Sequence, residues 1–329
     1  MTLREYLDAL TDLPPPDPVA RAEAEARQAS LTKPPGSLGR LEDLAVFMAG
    51  WQGRARPRIA RAQALVFAGN HGICDRGVNP FPQAVTAQMV ANFRAGGAAI
   101  NQLCAVAGAD LSVVALDLDR PTQDFTRAPA MTEAEVLDAL RTGGEAVDPL
   151  ADVLIVGEMG IGNSTTAAAL ACATFGGAPF EWVGPGTGAP GAMQALKAQV
   201  IGEGLARHAD LLGTPLGAFR AFGGREQAAM AGAVIAARRH RVPVILDGFI
   251  GTASVAPLAP WLDHCLIGHV SAEPGHAVLA GRLGKRPILD LGMRLGEGSG
   301  AAVALMVLRA ALAAHDGMAT FAEAGVSDA

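Results

Sequence analysis

The sequence predicts an α/β protein: a doubly wound, mainly parallel sheet with helices on both faces, plus a small helical domain formed by the N- and C-terminal segments. Two observations predict the sheet. Seven short runs are continuously apolar rather than alternating, which is typical of parallel strands covered on both faces. Ala-rich helical patterns lie between many of these runs, and strands that alternate with helices imply right-handed βαβ units. A third observation, helical patterns at both chain ends, predicts the small domain.

The predicted elements follow each other along the chain. The strands cover residues 64–69, 111–116, 152–157, 180–184, 242–248, 264–269 and 286–292. Helical patterns cover 86–104, 166–175, 193–212 and 226–240, and further helices are expected within 1–50 and over 299–314, the last ending at polar residues 315–317. We therefore expect a small helical domain from 1–50 and 299–329, and an α/β nucleotide-binding domain over 51–298.

Composition narrows the class of protein. Half of the 329 residues are hydrophobic, which is enough for a large core. The net charge of -6 and the lack of a basic cluster argue against a nucleic-acid partner. No apolar stretch free of charged and turn residues reaches the ~18 to 20 residues of a membrane span, and no secretory signal is evident. Four scattered cysteines without a CxxC pair suggest neither disulfides nor zinc, so we expect a reduced, cytoplasmic setting.

An acidic residue and a glycine turn follow the predicted strand 152–157. The candidate residues here are Glu158, Gly160, Gly162, Asn163 and Ser164. Free backbone N–H groups and the dipole at a helix start suit an anion such as phosphate. The structural alternative is a tight turn with an ordinary helix cap, but it does not explain the carboxylate at the mouth of the turn.

Two further glycine-rich turns follow predicted strands. The first, at 183–191, contains Gly186 and Thr187, and Lys197 on the next helix could neutralise a phosphate, although a helical lysine is usually just solvated. The second, at 289–301, surrounds Glu297 with glycines. Substrate can approach such a carboxylate closely, and partial desolvation would raise its pKa, as a general base requires. Its alternative is a surface pair with Arg294, worth at most ~1 kcal/mol.

Residues 68–90 predict an apolar pocket. Two prolines bracket Phe81, and Gln88 lies about two turns further on, where it could offer a polar contact to a flat ligand. His71, His269 and His276 lack a convincing metal-ligand pattern, so no metal site is expected.

Motifs along almost the whole chain match one family in its order. They are "KPPGSLGRLE" (33–42), "VTAQMVANF" (85–93), "GEMGIGN" (157–163), "PVILDGFI" (243–250), "GHVSAEPGH" (268–276), "RLGEGSGA" (294–301) and "MATFAEAGV" (318–326). Together they resemble the nicotinate-nucleotide:dimethylbenzimidazole phosphoribosyltransferases. The resemblance implies transfer of 5-phosphoribose from nicotinate mononucleotide to 5,6-dimethylbenzimidazole, a step in assembling the lower ligand of cobalamin. It also implies no cofactor, and a homodimer with sites near the subunit interface.

The resemblance also implies roles for individual residues. Glu297 matches the family's catalytic base, and Glu158 matches the second acidic residue of the site. The positions that match nucleotide contacts are Gly160, Asn163, Gly186, Lys197 and Arg294; those near the aromatic base are Gln88, Met159 and Leu295; and Ser271 lies in a matching loop. Two residues depart from the family pattern: Asn79 replaces a common Ser, and Pro185 replaces a common Arg.

Two other functions remain open at this point. A related phosphoribosyltransferase could use another acceptor, such as adenine, a different benzimidazole or a phenol, because one methylene in an apolar pocket is worth only ~1 to 3 kcal/mol. The chain could also be a non-catalytic nucleotide-binding protein with the same fold. Retention of Glu158 and Glu297 argues against the second possibility.

Overall fold

The structure is a computed structural model that describes residues 2–186, 188 and 191–327. Its sheet is parallel, in the order β2-β1-β3-β4-β5. The strands are β1 (Ala62–Ala68), β2 (Ala109–Ala115), β3 (Val153–Met159), β4 (Val244–Leu246) and β5 (Cys265–Ile267). The chain first adds β2 on one side of β1 and then adds β3 to β5 on the other. This reversal confirms the predicted doubly wound sheet.

Helices surround the sheet. In the described part of the chain they are α1 (Leu3–Asp8), α2 (Pro18–Ser30), α3 (Arg40–Gln52), α4 (Ala84–Arg94), α5 (Ala99–Ala107), α6 (Glu133–Glu145), α7 (Asn163–Phe175), α8 (Pro179–Trp182), α9 (Gly191–Arg207), α10 (Pro215–Phe222), α11 (Arg225–Arg239), α12 (Phe249–Val255), α13 (Pro274–Arg282), α14 (Ser299–Gly317) and α15 (Phe321–Ala324). Short 3₁₀ turns cover Gly72–Arg76, Ala209–Leu211 and Ala256–Trp261.

The apolar core lies on both faces of the sheet. Successive residues of a strand point to opposite faces, and in β3 Leu154 and Val156 join one buried cluster while Val153 and Ile155 join the other. The first cluster contains residues of α7, α10 and α11, and the second contains residues of α3, α5 and α14. Because both sides are covered, β3 is apolar from Val153 to Val156, which explains the continuous run in the sequence.

The two ends of the chain pack together. Helix α3 contacts α2 and α14, while α14 also packs on α5, β3 and β4. Near the end of α14, His315 contacts Gln28 of α2, with 2.8 Å between Nδ1 and Nε2. The division into domains at residues 50 and 298 stays a prediction. Within the described residues, α14 is the one helix long and apolar enough to cross a membrane, but half of that stretch is buried inside the protein, as in the core helix of a globular fold.

Two predicted strands are wrong. Residues 180–184 fall largely in the short helix α8, where Pro179 takes the first helical turn and Glu181 accepts the Ala178 N–H at 3.0 Å. Residues 286–292 make only one isolated bridge beside β5, between Leu289 and His269. This segment includes a proline, which has no N–H for a ladder.

The predicted helices exist, but some of their bounds differ. The pattern at 86–104 is two helices, α4 and α5, because the chain turns at Gly96, whose φ of 80° suits glycine. The pattern at 193–212 ends as an α-helix at Arg207 and continues as a 3₁₀ turn. Helix α14 runs through the polar residues 315–317 that were expected to end it.

Candidate active site

A cleft opens at the carboxyl ends of the strands, where ligands bind in open α/β sheets. It holds about 730 Å³ of space free of protein atoms, including its open mouth. Glu158 projects from the end of β3, Asp247 follows β4 and His269 follows β5, and all three line the cleft. The order in which strands are added to the sheet reverses between β1 and β3, and these two strands are neighbours. The sheet therefore brings buried acidic groups from separate parts of the chain to one edge.

Glu158 is almost entirely enclosed. It is 5% exposed, and one carboxylate oxygen accepts a hydrogen bond from the Asn163 side chain at the start of α7. Burial, followed by the charges of Asp247 and Glu226, raises the pKa of Glu158 to about 8. This carboxyl group is therefore mostly protonated at neutral pH. A bound cation would favour its ionised form.

Glu297 lies on a sharp turn just before α14. Its φ is 66°, in the left-handed region that side chains rarely adopt, and Gly296 and Gly298 on either side both have φ of 87°. The turn is pressed against β3: a Cβ on Gly157 would stand 2.5 Å from the carbonyl oxygen of Glu297. Glycine is therefore needed at position 157 for the turn to lie this close.

The Glu158 carboxylate and the turn that carries Glu297 lie close together, and the charge of Glu297 contributes to the raised pKa of Glu158, but Glu297 itself is not among the described residues that line the cleft. A Cβ on Gly296 would overlap Oε1 of Glu158, so the residue beside Glu297 already contacts the Glu158 carboxylate. Burial, and then the charge of Asp247, raise the pKa of Glu297 to about 6. At neutral pH Glu297 is thus mostly ionised while Glu158 is mostly protonated. The two environments give these carboxyl groups different pKa values. One can therefore act as a base and the other as an acid, as in other paired-carboxylate sites.

The predicted nucleotide side of the cleft is built around Lys197. Its Nζ is buried and donates to Ser164 Oγ at 3.1 Å and to the Gly184 carbonyl at 3.3 Å. Burial lowers the pKa of Lys197, and the nearby Glu273 opposes this shift. Helix α7 begins at Asn163 after the left-handed Gly162, without a side-chain cap, and its first two residues, Asn163 and Ser164, line the cleft. Lysine and helix start together suit an anion.

The loop that follows α8 forms the outer wall of this side. Gly186 donates its N–H to Glu273 Oε1 at 2.8 Å, and Arg294 Nη1 reaches the Gly186 carbonyl at 3.4 Å. Arg294 therefore lies beside Pro185 and supplies a cation close to the position where the family commonly has Arg. Ser271 lines the same cleft and accepts the Phe249 N–H at 3.3 Å. Thr187, the remaining predicted nucleotide contact, lies outside the described residues.

Only some of the residues predicted to contact the aromatic base line the cleft. Phe81 and Leu295 line the mouth and are 47% and 52% exposed. Asn79 also lines the cleft and donates to the Phe81 carbonyl at 2.6 Å, which ties its side chain to the wall. Gln88, on the exposed side of α4, and Met159, which packs on the second core cluster, are not among the residues that line the cleft.

Several buried polar residues of the site were not predicted. Asp247 and Glu273 lie in motifs that carried the family resemblance, and Asp247 follows an apolar strand just as Glu158 does, so the pattern that found Glu158 could also have found it. His71 and Glu226, by contrast, form a fully buried pair, with 2.9 Å from Nε2 to Oε1. The two are far apart in sequence, and nothing local to either one indicates the pair.

A cleft with buried carboxylates beside a side that suits an anion is typical of an enzyme that acts on a phosphorylated small molecule. A family model described as phosphoribosyltransferase matches residues 13–326. Proteins named nicotinate-nucleotide–dimethylbenzimidazole phosphoribosyltransferase are 60% identical in Ruegeria pomeroyi (99% of this chain, 98% of the relative) and 61% identical in Rhodobacter capsulatus (96% and 95%). A crystal structure of the protein of that name from Thermus thermophilus superimposes with a TM-score of 0.88 at 40% identity, over 95% of this chain and all of the other.

The chain therefore belongs to the nicotinate-nucleotide–dimethylbenzimidazole phosphoribosyltransferase family. The match extends over nearly the full length of the relatives as well as of this chain. It confirms the family predicted from the sequence motifs.

Proposed function

We propose that the protein transfers 5-phosphoribose from nicotinate mononucleotide to 5,6-dimethylbenzimidazole, giving α-ribazole 5'-phosphate and nicotinate for assembly of the cobalamin lower ligand. The observation that carries this proposal is that Glu158 lines a cleft whose other side suits an anion, and that it contacts Gly296, the residue next to Glu297. Family membership supports the same reaction, because the relatives carry its substrates in their names.

The cleft suits the charge of the donor. Nicotinate mononucleotide has a cationic ring bonded to the anomeric carbon and a phosphate at the other end of the sugar. Lys197, Arg294 and the start of α7 would hold the phosphate. The cationic ring would favour ionisation of Glu158, which then stabilises the positive charge that develops on the ribose as the bond to nicotinate breaks.

Glu297 supplies the base. One nitrogen of the benzimidazole attacks the anomeric carbon, the bond from that carbon to the nicotinate nitrogen breaks with its electron pair on nicotinate, and the proton on the other benzimidazole nitrogen passes to Glu297. The nicotinate ring lies on the donor's β face and the new bond is α, so attack comes from the side opposite to nicotinate. Phe81 and Leu295 would hold the flat acceptor at the mouth of the cleft.

Acceptor-dependent release of nicotinate tests the reaction. With nicotinate mononucleotide alone we expect almost no free nicotinate, and adding 5,6-dimethylbenzimidazole should produce nicotinate and α-ribazole 5'-phosphate in equal amounts, as measured by chromatography and mass spectrometry. Competition with adenine, benzimidazole and p-cresol measures acceptor preference. A purified, folded protein that consumes no donor with any acceptor would instead be a nucleotide-binding protein.

The rate should fall in acid. A general base works only when ionised, and the pKa of Glu297 is raised to about 6 by burial and by Asp247. At saturating nicotinate mononucleotide, kcat/KM for the benzimidazole should therefore be lost as the pH falls through about 6 and be constant just above 7. A profile without an acid limb between pH 5 and 7 would contradict Glu297 as the base.

We also propose that the enzyme works as a homodimer in the cytoplasm, without nucleic-acid or membrane partners. The dimer follows from the family resemblance, and light scattering of the purified protein tests it. The cytoplasmic setting is supported by the four cysteines, which are all free thiols. Fractionation of the cells that express the protein tests this second proposal.

A further inference from the structure

The turn that presents Glu297 needs outside support. A non-glycine residue in the left-handed region costs on the order of 1 to 3 kcal/mol and persists only where its surroundings hold it. In the described part of the chain, the other non-glycine residues with positive φ are Asp117 and Arg241, and neither is next in sequence to a residue that lines the cleft, as Glu297 is to Gly296. Glu297 is therefore the strained residue of the site, and something must fix it in place.

The support comes from Asp247, at the end of β4. Its Oδ2 accepts the Gly298 N–H at 3.1 Å and its Oδ1 accepts the Ala301 N–H at 3.0 Å. Asp247 thus spans the residue just after Glu297 and the first turn of α14, where a negative charge also suits the helix dipole. The side chain is 1% exposed, so water does not compete for these hydrogen bonds.

The negative charge of Asp247 also acts on both site carboxylates and raises the pKa of Glu158 and of Glu297. Burial alone would raise the pKa of Asp247, but a hydrogen bond from His269 and the two backbone N–H groups hold the pKa below the ordinary value, so Asp247 is ionised. The other titratable groups that face it are Glu158 from β3, His269 after β5, whose Nε2 lies 3.4 Å from Oδ1, and His276 from α13. Burial lowers the pKa of His276 to about 4, which leaves this histidine neutral. The charge of Asp247 raises the pKa of Glu297 even though His269 lies within ion-pair distance of Asp247.

We propose that Asp247 is a positioning residue for proton transfer: its two oxygens hold the strained turn that aims Glu297 at the acceptor, and its negative charge strengthens Glu297 as a base. Asp247 acts through Glu297 and takes no proton itself. The inference rests on the proposed function, since it assigns a cause to the basicity which that reaction requires.

Asp247→Asn tests both parts. The amide removes the charge and replaces one acceptor oxygen by a donor that cannot accept a backbone N–H. We expect kcat to fall roughly 10- to 100-fold as Glu297 loses its alignment. The acid limb of kcat/KM for the benzimidazole should move to lower pH by about one unit, because a like charge near Glu297 is gone. KM for nicotinate mononucleotide should stay within about threefold of wild type.

Asp152→Asn is the matched control. Asp152 Oδ2 also accepts two backbone N–H groups, from Ala60 at 2.7 Å and Arg61 at 2.9 Å, but it precedes β3 at the opposite edge of the sheet. Its loss should lower the melting temperature and leave kcat and the acid limb unchanged. A merely structural role for Asp247 would give the same pattern.

Asp247→Ser covers the case in which the asparagine variant does not fold. Serine keeps one oxygen acceptor and has no charge, so the acid limb should shift as in Asp247→Asn. An unmoved acid limb in the folded variants, or a rise in KM with kcat unchanged, would overturn the inference. If wild-type protein releases no nicotinate, the proposed function fails; if wild type is active and Asp247→Asn behaves as Asp152→Asn does, only the role of Asp247 fails.

Discussion

Replacing Glu297 with glutamine will lower kcat by at least about 100-fold, because a positioned general base contributes typically 10² to 10⁴ in rate. Glutamine has nearly the same shape and leaves the backbone of the turn in place, yet it cannot accept the benzimidazole proton. KM for nicotinate mononucleotide should change by less than about threefold, since the anion side of the cleft is formed by other residues. Steady-state release of nicotinate from pH 5 to 8 measures both quantities.

The pH profile separates loss of the base from general damage. The remaining activity of Glu297→Gln should lack the acid limb near pH 6, because the group that titrates there has been removed. Glu145→Gln is a suitable control: Glu145 is an exposed residue of α6 that pairs with Arg141 and does not line the cleft. A Glu297→Gln enzyme with kcat within threefold of wild type would show that another group takes the proton.

Gly157→Ala should be nearly as damaging, although the change adds a single methyl group outside the reacting atoms. The new Cβ would stand 2.5 Å from the carbonyl carbon and oxygen of Glu297 and 2.6 Å from the Gly298 nitrogen. These are backbone atoms that cannot rotate away, so the turn must move off β3. We expect a loss of about 1 to 3 kcal/mol in the free energy of unfolding and a fall in kcat of about 100-fold.

Gly202→Ala is the matched substitution. Gly202 lies inside α9, and a Cβ there would meet no atom within 4 Å. Alanine should therefore stabilise the protein by about 0.4 to 1 kcal/mol through the unfolded chain and leave kcat unchanged. Urea denaturation and nicotinate release compare the two variants. If Gly157→Ala had the same stability and rate as wild type, the Glu297 turn would not lie against β3 as closely as the structure shows.

Local patterns in the sequence predicted the strands of the sheet and some of the residues of the site. The five strands of the described sheet were all predicted, because each contains a short, mostly apolar run. Glu158 and Glu297 could be found because each lies beside glycines after an apolar run, although the run before Glu297 does not form a strand. What no local pattern could show is that these two turns meet: their contact depends on Gly157 and Gly296 being small at the same place in the fold.

The predictions that failed also depend on contacts that a local pattern does not contain. Residues 180–184 look like a strand in composition, but Pro179 and the cap made by Glu181 start a helix there instead. Gln88 and Met159 share motifs with the site, yet they lie outside the lining of the cleft in a single chain. The His71–Glu226 pair depends on tertiary packing between distant segments, which single-sequence patterns do not contain.

Helix α14 has a consequence for how the enzyme can be altered. One end of this rod begins at the turn of Glu297, and the other is tied by His315 to Gln28 and to the Ala55 carbonyl near the start of the chain. The same helix thus connects the Glu297 turn to the N-terminal segment, and we expect a substitution of His315 to lower the melting temperature by loosening that attachment.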